Sequence, residues 1–266
     1  MSNLSDIGFN VETEEDFRKL MEKAYGLGQP IKPSNGTYVL YSDKSGAELW
    51  MQLNRKDEFI GANPHFKGKS KRTVCLTATV DRHESELDGA YHSRADPTEG
   101  NNPDSGAYPL VFDIPDFRTI AEIVTPKNVD IQLVAFAQEL SCYDSERAFN
   151  ESQYTELKFA SQSFIPSGLF SPNGEDTNPP EALGIFTGII REWEMKTNEL
   201  TGEQFYWLFV DTLGGEVDVV ADPRFFDKKP NINGVVQGQF WLSGRLIDAP
   251  KFMSKKKGLF SRLYGK

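Results

Sequence analysis

Gln204-Phe205-Tyr206-Trp207-Leu208-Phe209-Val210-Asp211-Thr212, then Leu213-Gly214-Gly215, then Glu216-Val217-Asp218-Val219-Val220-Ala221, is the stretch on which the fold turns. Successive side chains of a strand face opposite ways, so Phe205, Trp207 and Phe209 share one face while Tyr206 and Leu208 take the other. Aromatic and β-branched residues suit a pleated, half-buried surface. A Gly-Gly pair between two such runs accepts the positive φ values that a tight hairpin demands. Outward from this hairpin, Gly184–Thr197 reads as a preceding strand with a turn at Asn198–Gly202, and Gly234–Ile247 as a closing strand. Glycines inside strands mark bends, and Gly188, Gly238 and Gly244 therefore predict a small curled sheet or barrel.

Upstream the pattern is mixed. Ile7–Val11 reads as a strand, and Thr13 with Asp16 three residues on resembles a capping box. Phe17, Leu20, Met21 and Ala24 then repeat at i, i+3, i+4 and i+7, with Gly26 and Gly28 as stop signals, which predicts one clear helix. Thr37–Ser42 and Ala47–Leu53, joined through Asp43-Lys44-Ser45-Gly46, predict a hairpin. Further strands are expected over Thr73–Val80, Tyr108–Ile114 and Val129–Leu140, and a short helix over Asp144–Gln153. Residues 81–107 form a long polar insertion, and 165–183 are rich in Pro, Gly, Ser and Asn, the composition of a linker or surface loop. The expectation is an α+β, predominantly antiparallel β chain: an α+β domain over 1–164, a linker over 165–183, a β-rich domain over 184–250 and a basic tail over 251–266.

Two resemblances attach to these patterns. In its long first strand and succession of hairpins, the 184–250 region resembles an OB-type barrel, although that fold has five strands and this run supplies four. The strand-helix-strand-strand unit that opens the chain resembles a half-module of the vicinal oxygen chelate superfamily. That resemblance implies metal ligands on particular strands. Here the first strand offers no His, and Glu48 is the one carboxylate on the second hairpin arm.

Charge is uneven. The 266 residues carry 39 acidic and 29 basic side chains, a net −10. Six of the basic residues and no acid lie in 251–266, which leaves −16 on the remainder. A nucleic-acid ligand calls for a basic face that displaces counterions, so the body of the chain argues against one. In the tail, Leu259, Phe260, Leu263 and Tyr264 fall on one helical face, with Lys257, Arg262 and Lys266 around it. Lys255, Lys256, Lys257, Leu259, Phe260, Arg262 and Leu263 are accordingly the candidate contacts to a partner, to an anionic membrane surface or to an acidic patch of the chain's own body, the alternative being a solvated terminus. Two cysteines exclude a disulfide scaffold, and with no apolar run of about 20 residues and no basic-apolar leader the expectation is a cytoplasmic protein.

No catalytic constellation or cofactor motif stands in the sequence. The histidines are His65, His83 and His92. His83, His92, Glu84 and Asp88, beside Asp81 and Glu86 in the polar insertion, are the candidate metal ligands, imidazole and carboxylate together suiting a divalent ion. Asp211, Glu216, Asp218 and Asp222 around the Gly214-Gly215 turn offer a second carboxylate group, read more simply as a charged outer sheet face. Cys75 and Cys142 read as packed thiols, Ser167 as a turn residue, and Lys67, Lys69, Lys71 and Arg72 as the one basic patch of the body. The expected function is non-enzymatic binding or scaffolding with a protein partner and no cofactor. The alternatives are a metal-dependent enzyme built on 81–107 and single-stranded nucleic-acid binding by the barrel, through its aromatic faces.

Overall fold

A computed structural model describes residues 3–82, 85–154, 158–169 and 179–248. The fold is α+β with strands dominating and, among the described residues, two α-helices. At the N-terminus the expected strand over residues 7–11 does not form. Ser5–Ile7 is a 3-10 turn, and Gly8 at φ 76° lies in the left-handed region, which breaks an extended run. Helix α1 (Glu14–Leu27) starts as expected: the Thr13 hydroxyl accepts from the Asp16 N–H at 3.1 Å, and the Asp16 carboxylate accepts from the Thr13 N–H at 3.1 Å. Its Leu20, Met21 and Ala24 are buried. They pack on a four-stranded antiparallel sheet in sequence order: β1 (Gln29–Ile31), β2 (Thr37–Ser42), β3 (Ala47–Leu53) and β4 (Phe59–Phe66). The hairpin expected over residues 37–53 is β2–β3.

The remaining strands form one nine-stranded sheet. They are β5 (Arg72–Asp81), β6 (Gly89–Ala95), β7 (Pro109–Asp113), β8 (Lys127–Tyr143), β9 (Ser163–Ile165), β10 (Leu183–Thr197), β11 (Gln204–Thr212), β12 (Gly215–Ala221) and β13 (Val235–Leu246), with helix α2 (Glu146–Ser152) between β8 and β9. The sheet closes on itself twice. One circuit runs β10–β11–β12–β8–β13 and back to β10; the other runs β5–β6–β7–β13–β8 and back to β5. Both share the long β8–β13 pair, antiparallel from Ile131↔Leu246 to Tyr143↔Val235. In each circuit one contact is parallel: β12 with β8, and β7 with β13 through Ser243↔Asp113.

One sequence expectation changes here. Residues 81–107 are not one polar loop, because β6 lies inside them and pairs with both β5 and β7. Its Ala90, Tyr91, Ser93 and Ala95 are buried, an apolar run short enough to be masked by the polar residues around it. The segments on either side of 165–183 share backbone hydrogen bonds: β8, from the first, supplies a strand to the circuit of β10–β13. The hairpin at 204–221 is buried on both faces. Tyr206, Leu208 and Val210 enter one core with Val217 and Val219, while Phe205 and Trp207 pack on Phe66 of β4 at ring distances of 6.0 and 6.5 Å.

Candidate functional site

The four-stranded sheet rests on the β8–β13 seam, and polar side chains are buried along the contact. His65, from β4, is fully buried. Its Nδ1 lies 2.9 Å from the Ser243 hydroxyl and its Nε2 3.1 Å from Gln132 Oε1. Gln132 Nε2 donates to Asp218 at 2.9 Å, which turns Oε1 toward the imidazole. Nε2 of His65 is therefore the donor, and Nδ1 accepts from Ser243. Asp218 is also fully buried and accepts from the Trp207 indole at 2.8 Å and from the Ser70 and Lys69 N–H groups at 2.8 and 3.1 Å. It is thus a core acceptor rather than part of a charged outer face. Burial pushes the His65 pKa down to about 3, helped by the nearby Arg245 cation. Beside this chain, Glu48 accepts from the Trp50 indole at 3.1 Å and lies 3.4 Å from Arg245; burial holds its carboxyl above the usual range against the pull of Arg245.

Where this polar seam meets the surface it opens into a cleft of about 520 Å³. Ser243 and Trp241, two apart on β13, line it together with Asp113 from the end of β7. Arg82, just past β5, donates to Asp113 Oδ1 through Nε at 2.9 Å and Nη2 at 2.7 Å, and to the Pro180 carbonyl at 2.7 Å. The Trp241 indole donates to Asp113 Oδ2 at 2.6 Å. Burial raises the Asp113 pKa, while Arg82 and the indole N–H oppose the rise and the neighbouring Asp88 adds to it. Asp88 Oδ1 accepts from Gln52 Nε2 at 2.5 Å and from Asn63 Nδ2 at 2.7 Å. Among the described residues no hydrogen bond reaches its Oδ2. Gln138 and Glu181 complete the polar lining, with Ile114, Pro115 and Leu183 as apolar wall. The size suits a small organic molecule, and junctions between packed units are where such sites concentrate.

The sequence candidates scatter. Asp88 lines the cleft. His92 faces elsewhere, its Nδ1 2.6 Å from the Thr77 hydroxyl, with its pKa lowered by burial and by Arg94. His83 and Glu84 lie outside the described residues, as do Lys255, Lys256, Lys257, Leu259, Phe260, Arg262 and Leu263. Among the described residues no three His, Cys, Asp or Glu side chains come together as metal ligands. Asp211 pairs with Arg191 at 2.8 Å, and Asp222 caps the turn at Pro223–Phe225. Cys75 and Cys142 are free thiols whose pKa values burial raises, that of Cys142 to about 12. Arg82, Asn63, Asp113 and Trp241 carry no sequence signal, because they come from four separate segments. No family model, curated protein or solved structure matches this chain.

Proposed function

We propose that the protein is a non-enzymatic binding protein whose ligand is a small molecule rich in hydrogen-bond donors, hydroxylated or amino-bearing, held in the cleft between the four-stranded sheet and the β8–β13 seam. The observation that carries this reading is Asp88. Two amide groups anchor one of its carboxylate oxygens, and among the described residues the other is left unengaged, in a residue that lines the cleft. Glu181 adds a second acceptor and the Gln138 amide a further polar contact, beside the Trp241 indole. Polar groups fixed before the ligand arrives lower the ordering cost of binding. The reading is of binding rather than bond-making because both oxygens of Asp113 already hold donors, from Arg82 and Trp241. A cytoplasmic address and a protein partner that receives the liganded form belong to the same proposal; both cysteines being free thiols supports the address.

Calorimetric titration with a panel of monosaccharides, polyols and primary amines tests it. A member of the panel is expected to bind and to be recovered chemically unchanged. Asp88→Asn keeps the acceptor for Gln52 and Asn63 but removes the charge, and should weaken binding by about tenfold or more. Equal affinity in that variant, or turnover of the ligand, refutes the reading.

A second reading, single-stranded nucleic-acid binding, draws support from the first circuit, which in its five closed strands is similar to an OB-type barrel once β8 is counted. Lys69 also lies over the Phe209 and Trp207 rings at 4.3 and 5.4 Å. Against it, Lys69 is ion-paired with Glu192 and Lys71 with Asp130, and Trp207 is buried beneath Phe66. Absence of oligothymidine binding at low salt excludes it.

A further inference from the structure

Two of the nine large hydrophobic side chains that the described residues leave exposed, Tyr25 and Phe59, belong to one face, formed by α1 and the tip of the β3–β4 hairpin. Tyr25 is 53% and Phe59 46% exposed. Between them runs a groove of about 550 Å³ floored by Phe17, Met21, Met51 and Leu53, with Phe17 edge-on to Phe59 at 6.1 Å. Its rim carries Glu22 and Asp57, while Arg18, the one rim cation among the described residues, is bound by Glu15 and Glu22 at 2.8 and 2.6 Å. An apolar floor with an acidic rim calls for an apolar stripe flanked by cations.

We propose that this groove seats the chain's own basic segment, residues 251–266. Leu259, Phe260, Leu263 and Tyr264 recur there at the spacing that fills a groove, and six basic residues without an acid flank them. Phe17, Met21 and Tyr25 form an i, i+4, i+8 ridge about 12 Å long, enough for that stripe. From Asp248, the last described residue, an extended chain reaches roughly 35 Å to Leu259, so the segment can fold back on its own molecule. Occupied, the groove withdraws an apolar patch from solvent and places cations against an acidic surface.

Disulfide trapping in the full-length chain tests this. Leu27→Cys combined with Gly265→Cys should close within one chain about tenfold or more faster than Tyr154→Cys with Gly265→Cys, because a docked segment has a high effective concentration. The native thiols compete poorly, Cys75 being buried, Cys142 partly buried and both raised in pKa. Leu259→Asp with Leu263→Asp should abolish the difference and increase the binding of a hydrophobic dye, and Phe59→Asp should remove that increase. Trapping only between two chains assigns the groove to a second copy and overturns the proposal. Equal trapping in both cysteine pairs overturns it too, as does phosphatidylserine-vesicle binding that Leu259→Asp/Leu263→Asp removes without changing dye binding.

Discussion

His65 makes the stability of the fold depend on pH in a direction and size that can be worked out. In the unfolded chain its imidazole titrates near 6.5, and in the folded protein burial lowers the value to about 3. As pH falls through 6.5 the unfolded chain takes up a proton that the native state refuses. The stabilisation is therefore complete above pH 6.5 and drains away as pH drops toward 3. Between pH 7 and pH 4 the loss from this one group comes to about 3 kcal/mol. Asp6, Glu48 and Asp113 have raised pKa values and act in the opposite direction, so the total curve mixes both signs. Comparing wild type with His65→Gln by urea unfolding at several pH values isolates the imidazole. The variant starts less stable, but its stability should fall about 3 kcal/mol less over the same interval. In the wild-type protein, ring nitrogen shifts at pH 5 should report the neutral tautomer protonated at Nε2. Parallel pH curves for the two proteins, together with a charged ring at pH 5, would falsify the assignment.

Asp6 runs the other way: burial lifts its pKa to about 8, so its cost appears as pH rises from the ordinary carboxylate range toward 8. Asp6→Asn, which can still accept from the Asp222 N–H, should gain a few kcal/mol over wild type at pH 8.5 and little at pH 4, read from chemical unfolding. Gly68→Ala would place a methyl group 2.0 Å from an Asp218 carboxylate oxygen, and it should cost more than about 3 kcal/mol or prevent folding. Arg82→Met leaves the partly buried Asp113 without its cation and should lower stability by about 2–3 kcal/mol at pH 7, with the deficit shrinking as pH falls and Asp113 protonates. A chain of residues 184–248 alone lacks β8 and should show no cooperative thermal transition by circular dichroism; a sharp one contradicts the shared sheet.

Local pattern reaches far into this chain. The helix at 14–27 is legible because a capping box and an i, i+3, i+4, i+7 stripe both act within a few residues. The hairpins 37–53 and 204–221 are legible because alternation and turn chemistry are equally local. Strand β6 is not, since its few buried residues sit among Asp, Glu and Asn and nothing nearby shows that β5 and β7 will cover it. The cleft is legible only at Asp88, which the polar insertion singles out as a carboxylate but for a metal.

Composition and periodicity by themselves determine that this is a β-rich α+β chain, acidic in body and basic at its end, with its helix and hairpins where their caps and turns stand. Tertiary structure alone decides that β8 closes the circuit of β10–β13, that His65, Gln132 and Asp218 join in one buried chain, and that Arg82, Asp113, Asp88 and Trp241 face a common cleft. The reason is range. Turns, caps and amphipathic faces are set by interactions across a few residues, whereas closing a sheet or burying a carboxylate depends on partners tens to well over a hundred positions away, whose arrival no local signal announces.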